Sequence, residues 1–70
     1  MKLNNNLRRF RFEKGEISQE ELARAVGVSR QTIHSIEKVK FIPSTFLALK
    51  MAKFFKTTVE ELFSINKNTK

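Results

Sequence analysis

The signals that constrain this chain most are helix-boundary residues that follow one another closely. Ser18 and Glu21 have the spacing of a capping box, in which the serine hydroxyl and the glutamate carboxylate accept hydrogen bonds from each other's backbone amides. Gly27 lies where a helix ends in positive φ, a conformation that costs least for a residue without Cβ. Ser29 is a favourable N-cap for the next helix. The spacing therefore predicts two short helices joined by a tight turn, over residues 19–26 and 30–38.

Apolar residues recur at helical spacing along most of the chain, and strand signals are nearly absent. This periodicity predicts an all-α domain of five helices, of which the two above are the second and third. The first helix is expected to begin within residues 4–6, to place Leu3, Leu7 and Phe10 on its apolar face, and to end near Lys14.

Two more helices are predicted after Pro43, because a proline pushes the residue before it toward extended geometry. The fourth helix covers about residues 44–55. Thr58 and Glu61 form a second capping box, which opens a short fifth helix. This fifth helix carries the apolar residues Val59, Leu62 and Phe63. The last six residues, 65–70, are mostly polar and are expected to fray.

Length and composition indicate one small basic domain spanning residues 1–70. Fourteen Lys and Arg residues against seven Asp and Glu residues leave a net charge of +7, which favours polyanionic partners. The chain has no cysteine and a single histidine, His34, so disulfides are excluded and neither a metal nor a cofactor is expected. No apolar run approaches the roughly 20 residues of a membrane span, and the N-terminus does not resemble a signal peptide. A cytoplasmic location with no membrane contact is therefore predicted.

Residues 18–38 fit the constraints of a helix-turn-helix motif at each position that matters. The two helices share an apolar seam formed by Leu22, Val26, Ile33 and Ile36. Ala23 is small enough for two steeply crossing helices to approach closely. The exposed face that remains on the third helix is polar and basic.

With these residues in place, the chain resembles the phage repressor/Cro-like helix-turn-helix regulators, also called the xenobiotic response element family. The resemblance covers about residues 4–63 and includes LRRFR, ISQEELA, VSRQTIHSIE, IPS, ALKMAKFF and TTVEELF in the usual order. It implies a compact five-helix, lambda-repressor-like DNA-binding domain, and it is strongest for the small single-domain members. It also implies a sequence-specific and usually dimeric regulator that binds double-stranded DNA.

A helical wheel separates the roles of residues on the third helix. With Ile33 facing inward and about 100° per residue, Gln31 and Ser35 point outward. If this helix enters the major groove with its N-terminus first, arginine can read guanine and glutamine can read adenine. The predicted base contacts are Arg30, Gln31 and Ser35. Helix N-termini and nearby basic side chains attract phosphate, and the predicted phosphate contacts are Gln19, Ser29, Thr32, His34, Lys38 and Lys40.

Two charged residues occupy apolar helix faces, where neither should lie alone. Arg11 is four residues after Leu7, and Glu37 is four residues after Ile33. The family resemblance implies that Arg11 and Glu37 form a buried salt bridge between the first and third helices. Its predicted role is structural, because such a pair has neither a nucleophile nor a metal with which to perform a reaction.

The chain departs from the family pattern at three turns. Gly15-Glu16 makes the first turn one residue longer than is common. Lys38-Val39 stands where the family often has Asn-Gly, and a β-branched residue is unfavourable at positive φ. Lys56 replaces a usual glycine between the last two helices.

The fourth helix is apolar on more sides than one small core can cover. Its expected core stripe is Ala48, Met51, Ala52 and Phe55. The surplus residues Phe46, Leu47, Leu49 and Phe54 are predicted to form the two-fold interface of a homodimer, the alternative being burial under the fifth helix and the N-terminal segment. Phe12 lies off the core stripe of the first helix and has no assigned role.

The predicted function is that of a transcriptional regulator, expected to act as a repressor, which binds an inverted-repeat operator as a homodimer. An enzyme is not expected, because the chain lacks a glycine-rich phosphate loop and a Ser-His-Asp set. One alternative is an antitoxin-type regulator of a toxin operon. Another is an RNA-binding protein or protein-interaction adaptor of the same fold, although the third helix lacks the exposed aromatic residues on which single-stranded RNA readers stack bases.

Overall fold

The computed structural model describes residues 3–65, which form five short helices and one two-stranded sheet. The helices are α1 (Leu7–Glu13), α2 (Gln19–Val26), α3 (Arg30–Glu37), α4 (Thr45–Phe55) and α5 (Val59–Leu62). The strands are β1 (Leu3–Asn5) and β2 (Phe63–Ile65). The predicted helical class and the order of the five helices are confirmed. Across these residues, no helix has the length and apolar character needed to cross a membrane.

The two ends of the described chain differ from the prediction. The sequence places Leu3 on the first helix and Phe63 on the fifth, whereas the structure places them in antiparallel strands, with Leu3 opposite Ile65 and Asn5 opposite Phe63. The amide of Asn6 continues this pairing by donating to the carbonyl of Leu62 at 2.8 Å. The backbone of Ile65, expected to fray, is therefore held in a strand, and the rest of that expectation, residues 66–70, lies outside the described residues.

The predicted ends of α2 and the start of α3 are confirmed in atomic detail. The amide of Glu21 donates to Oγ of Ser18 at 3.0 Å, and the amide of Ser18 donates to Oε1 of Glu21 at 2.7 Å. Gly27 has φ 79°, in the left-handed region. Oγ of Ser29 accepts a hydrogen bond from the amide of Thr32 at 3.1 Å. These local contacts fix where the chain turns between the two helices.

The C-terminal ends of α3 and α4 adopt left-handed geometry without glycine. Val39 has φ 62° and Lys56 has φ 57°. After α3, the amide of Val39 donates to the carbonyl of Ile36 and that of Lys40 to the carbonyl of Ser35, both at 2.9 Å. This pair of bonds is a Schellman motif, which usually has glycine at the position of Val39. The backbone after α3 therefore forms a turn in which glycine is usual, although the β-branched side chain of Val39 makes this conformation unfavourable.

One core joins all five helices and the second strand. Its buried side chains are Leu7, Leu22, Ala23, Val26, Ile33, Ile36, Leu47, Ala48, Met51, Ala52, Leu62 and Phe63. The predicted seam between α2 and α3 is completely buried, and Ala23 is 2% exposed. Burial of this seam fixes the rotation of α3 about its axis, and hence the face that α3 presents to solvent.

The predicted interface residues of α4 divide into two groups. Phe46 and Leu49 are 70% and 55% exposed, whereas Leu47 is 7% exposed and packs in the core. The assignment of Leu47 to a dimer interface is therefore wrong, because Leu47 lies one turn before Met51 and shares its buried face. Phe54 is half-buried, with its ring centroid 5.0 Å from that of Phe55.

Candidate nucleic-acid interface

The outward face of α3 carries most of the predicted DNA contacts. Arg30 and Gln31 occupy the first turn, directly after the N-cap, and both are exposed. His34 is exposed one turn later, whereas Ser35 is half-buried. Since the opposite face of the helix is held in the core through Ile33, these side chains start from a fixed backbone. That preorganisation is what a helix needs if it is to read base edges in a groove.

The N-termini of α2 and α3 differ in their suitability for phosphate. The first turn of α2 contains Glu20 and Glu21, whose charges offset the positive end of the helix dipole. The first turn of α3 contains no acidic residue. Its N-cap, Ser29, is exposed, and its hydroxyl oxygen lies 3.0 Å from that of half-buried Thr32. Of the two helix starts, that of α3 therefore has the stronger local attraction for a DNA phosphate.

A hydrogen-bond network around Glu37 joins α1, the start of α2 and the end of α3. Nε and Nη2 of Arg11 donate to the two carboxylate oxygens of Glu37 at 2.7 and 3.1 Å. Nη1 of Arg11 donates to the carbonyl of Ile17 at 2.9 Å. The side chains of Arg11 and Glu37 are 15% and 9% exposed, so this ion pair is largely removed from water.

The same network holds Gln19, a predicted phosphate contact, through a hydrogen bond that sequence reasoning missed. Nε2 of Gln19 donates to Oε1 of Glu37 at 3.0 Å. The amide group of Gln19 is therefore oriented before any DNA binds. No local pattern signals this contact, because the partners lie on separate helices and meet only through the tertiary fold.

A polar cleft lies between α1, the start of α2 and the outward side of α3. Its lining residues are Asn5, Arg8, Arg11, Gln19, Arg30, His34, Glu37 and Lys38. The cleft thus brings together the ion pair and four predicted DNA contacts. It also contains Arg8 and Asn5, to which the sequence assigned no function. A signal for Arg8 was present, since it lies three residues before Arg11 and so shares its face of α1.

The loop after α3 carries the last predicted contact, Lys40, whose side chain is exposed. Nδ2 of Asn5 donates to the carbonyl of Ile36 at 2.7 Å, which ties the end of α3 to β1. With the Schellman bonds at Val39, this contact fixes the path of the loop. Lys40 therefore projects from a defined position beyond the end of α3.

The described residues offer no sign of metal chemistry. Within residues 3–65, no three His, Asp or Glu side chains lie close enough together to hold a metal ion. The carboxylates nearest the interface are engaged in capping and pairing, as Glu21 and Glu37 show. The arrangement is one of exposed cationic and amide groups around a helix, which suits binding of an anionic polymer.

Comparison with known proteins identifies the family. A model of the helix-turn-helix family HTH_3, the Cro/C1 type of the xenobiotic response element family, matches residues 7–62. An uncharacterized HTH-type transcriptional regulator of Methanocaldococcus jannaschii is 55% identical over 47 residues, which cover 67% of this chain and 71% of that protein. Another from Archaeoglobus fulgidus is 46% identical over 61 residues, covering 87% of this chain and 86% of that protein. The HTH-type regulator YgzD of Bacillus subtilis is 43% identical over 61 residues, covering 87% of this chain and 91% of that protein. The chain therefore belongs to the Cro/C1-type helix-turn-helix family of DNA-binding transcriptional regulators.

Proposed function

We propose that the protein is a sequence-specific transcriptional repressor that inserts α3 into the major groove of an operator. The observation that carries the proposal is the exposed polar face of α3, held in place by the buried seam behind it. A domain bound at a promoter represses transcription by occluding it, without catalysis. The site of action is the cytoplasm, where prokaryotic DNA lies.

Within this proposal, base reading and phosphate binding fall to different residues. Arg30, Gln31 and Ser35 read base edges, with Arg30 suited to guanine and Gln31 to adenine. Backbone phosphates are bound on the two sides of the groove by Gln19, Ser29, Thr32, His34, Lys38 and Lys40. The half-burial of Ser35 limits it to a base that approaches the helix closely.

The repressor is proposed to act as a homodimer through a revised face of α4. The apolar residues exposed on α4 and just before it include Ile42, Phe46 and Leu49, which are 71%, 70% and 55% exposed. They adjoin a groove lined by Pro43, Thr45, Ala48, Leu49, Val59 and Phe63. None of these residues is charged, although Nζ of Lys50 lies 4.9 Å from the centroid of the Phe46 ring. The part of the patch at Leu49 and the groove therefore suits contact between two copies that each carry +7 better than the part at Phe46. A two-fold axis brings the same patch of both copies into contact, and two apolar patches can pack against each other.

Selection of bound duplexes from a random DNA pool tests the function. The expected product is an inverted repeat whose half-sites lie about 10 base pairs apart, because dimeric helix-turn-helix proteins contact one face of the duplex. A parallel gel shift with RNA of the same sequences is the control. Failure to enrich any sequence, or preferential binding of RNA, would contradict the proposal.

A further inference from the structure

We infer that Arg8 of α1 is an additional phosphate-binding residue of the DNA interface, an inference that rests on the proposed function. Arg8 lies outside the helix-turn-helix motif and was assigned no role by the sequence. The structure places it in the same cleft as Arg30 and His34 of α3 and Lys38, which directly follows α3. The position of Arg8, its positive charge and the ion pairing of the charged residues around it each support the assignment.

The first step is the position of Arg8 relative to Arg11. The two arginines lie three residues apart and therefore share one face of α1. Arg11 is turned inward, where it donates to Glu37 and to the carbonyl of Ile17. Arg8 is exposed, one turn closer to the start of the helix. The inner arginine thus anchors α1 against α3, while the outer arginine faces the opening of the cleft.

The residues that line the cleft carry more positive than negative charge. Glu37 is the one carboxylate among the lining residues, and its charge is matched by the ion pair with Arg11. The arginine ion pairs found among residues 3–65 join Arg9 to Glu13, Arg11 to Glu37 and Arg24 to Glu20, so that Arg8 belongs to none of them. Arg8, Arg30 and Lys38 therefore leave the cleft with excess positive charge.

The third step is the identity of the anion. Three lining residues of the cleft, Arg30, His34 and Lys38, also lie on or directly after the helix that is proposed to enter the major groove. Phosphates of the DNA backbone border that groove on both sides. A backbone phosphate beside α3 is therefore the anion that can reach Arg8 while Arg30 and Gln31 approach the bases. Free inorganic phosphate has the same chemistry, and a binding experiment with inorganic phosphate distinguishes it from a phosphate of the DNA backbone.

The chain supplies a matched control in Arg9. Arg9 has the same charge and lies on the same helix. Its Nε lies 3.8 Å from Oε2 of Glu13, and its guanidinium group lies over the ring of Phe10. Arg9 does not line the cleft. Arg8→Ala and Arg9→Ala therefore remove equal charge from adjacent positions, only one of which faces the proposed phosphate.

The test is a titration of both variants against the selected duplex at several salt concentrations. We expect Arg8→Ala to weaken binding about tenfold, because a charge-assisted hydrogen bond is lost, and to reduce the slope of log K against log salt by about one. We expect Arg9→Ala to leave the slope unchanged. Arg8→Lys, which retains the charge, should keep the slope. Circular dichroism of each variant checks that the exposed substitutions leave the fold intact.

Three results would overturn the assignment. If Arg8→Ala and Arg9→Ala weaken DNA binding equally, Arg8 contributes only long-range charge, and the proposed function stands without it. If millimolar inorganic phosphate binds to the wild type but not to Arg8→Ala, while the two proteins bind the duplex with equal affinity and equal salt slope, the cleft is a site for free phosphate. If the wild-type protein binds no duplex at all, the proposed function fails together with the assignment.

Discussion

Glu37 accepts three hydrogen bonds from two other elements, two from Arg11 and one from Gln19. A carboxylate so placed links the stability of the domain to the geometry of the proposed DNA-binding surface. Removal of either charged partner leaves the other in a largely dry position, where an uncompensated charge is strongly destabilising. The cost of leaving one of these charges buried without its partner is therefore larger than the net attraction between the two charges.

Glu37→Ala should lower the free energy of unfolding by about 3–5 kcal/mol, the typical effect of breaking a buried ion pair from one side. Because a domain of this size has little more stability than that, the variant should be largely unfolded at room temperature. Urea denaturation followed by circular dichroism measures the change. Glu13→Ala is the control, since Glu13 pairs with Arg9 at the surface, where both side chains are more than half exposed. Equal effects of the two substitutions would show that the Arg11–Glu37 pair is not the buried anchor described above.

Gln31→Ala should separate base reading from charge attraction. The exposed amide of Gln31 on the outward face of α3 can bond to adenine in two places, so its loss should weaken binding to the selected duplex by about 1–3 kcal/mol. Binding to random duplex should remain nearly unchanged. Fluorescence anisotropy with the two duplexes gives both values.

Lys40→Ala should have the opposite profile. Lys40 is exposed beyond the end of α3, so we expect it to reach phosphate rather than base edges. Its substitution should weaken selected and random DNA alike and reduce the salt slope by about one. The placement of α3 in the major groove would be wrong if Gln31→Ala affected both duplexes equally, or if Lys40→Ala affected the selected duplex alone.

At the scale of elements, the ends of α3 and α4 form a natural comparison. Both end in a left-handed residue, Val39 at φ 62° and Lys56 at φ 57°, and in both the following amide bonds back to the helix. Left-handed geometry is unfavourable for any residue with a Cβ, by roughly 1–2 kcal/mol, and a β-branched residue suffers most. Replacement by glycine removes that strain but increases the entropy of the unfolded chain.

Val39→Gly should raise the free energy of unfolding by about 1 kcal/mol, because the relieved strain exceeds the entropy change. The lost burial of the valine side chain offsets part of this gain, since Val39 is 42% exposed and not fully exposed. Lys56→Gly is the matched control and should change stability by less than about 0.5 kcal/mol, because an unbranched side chain is less strained. Urea midpoints of the two variants decide the matter. A gain of equal size in both variants would exclude the branched Cβ of Val39 as the source of strain.

The elements also show what could be predicted from the sequence and why. The start of α2 and the turn at Gly27 depend on groups within four residues of each other, so their signals are complete in the local sequence. The pairing of Leu3 with Ile65 joins opposite ends of the described chain, and no local periodicity encodes it. In the site, the helical wheel correctly placed Gln31 outward, whereas Ser35, which the same wheel places outward, is half-buried. The contact of Gln19 with Glu37 and the cleft at Arg8 arise only when three helices pack together.

In the molecule as a whole, the cationic cleft and the uncharged groove are lined by different residues. The cationic cleft is formed by the end of β1, by α1, by the start of α2 and by α3 with the residue after it. The uncharged groove is formed by the residue before the N-cap of α4, by α4, and by the starts of α5 and β2. No residue lines both. This separation allows one surface to bind DNA while the other meets a second copy, as an inverted repeat requires.

Leu49→Lys should therefore dissociate the proposed dimer without disturbing the core. Leu49 is 55% exposed and lines the uncharged groove, and a two-fold axis would bring two added ammonium groups close together. Sedimentation equilibrium at micromolar concentration should give the wild type about twice the chain mass of 8.2 kDa and the variant the chain mass itself. Phe12→Lys is the control, because Phe12 is 65% exposed on α1, outside that groove, and this variant should stay dimeric. On DNA, Leu49→Lys should lose affinity for the full inverted repeat while it retains the weaker affinity of one half-site. A wild type with the mass of one chain, or a Phe12→Lys variant that dissociates in its place, would exclude the α4 face as the dimer interface.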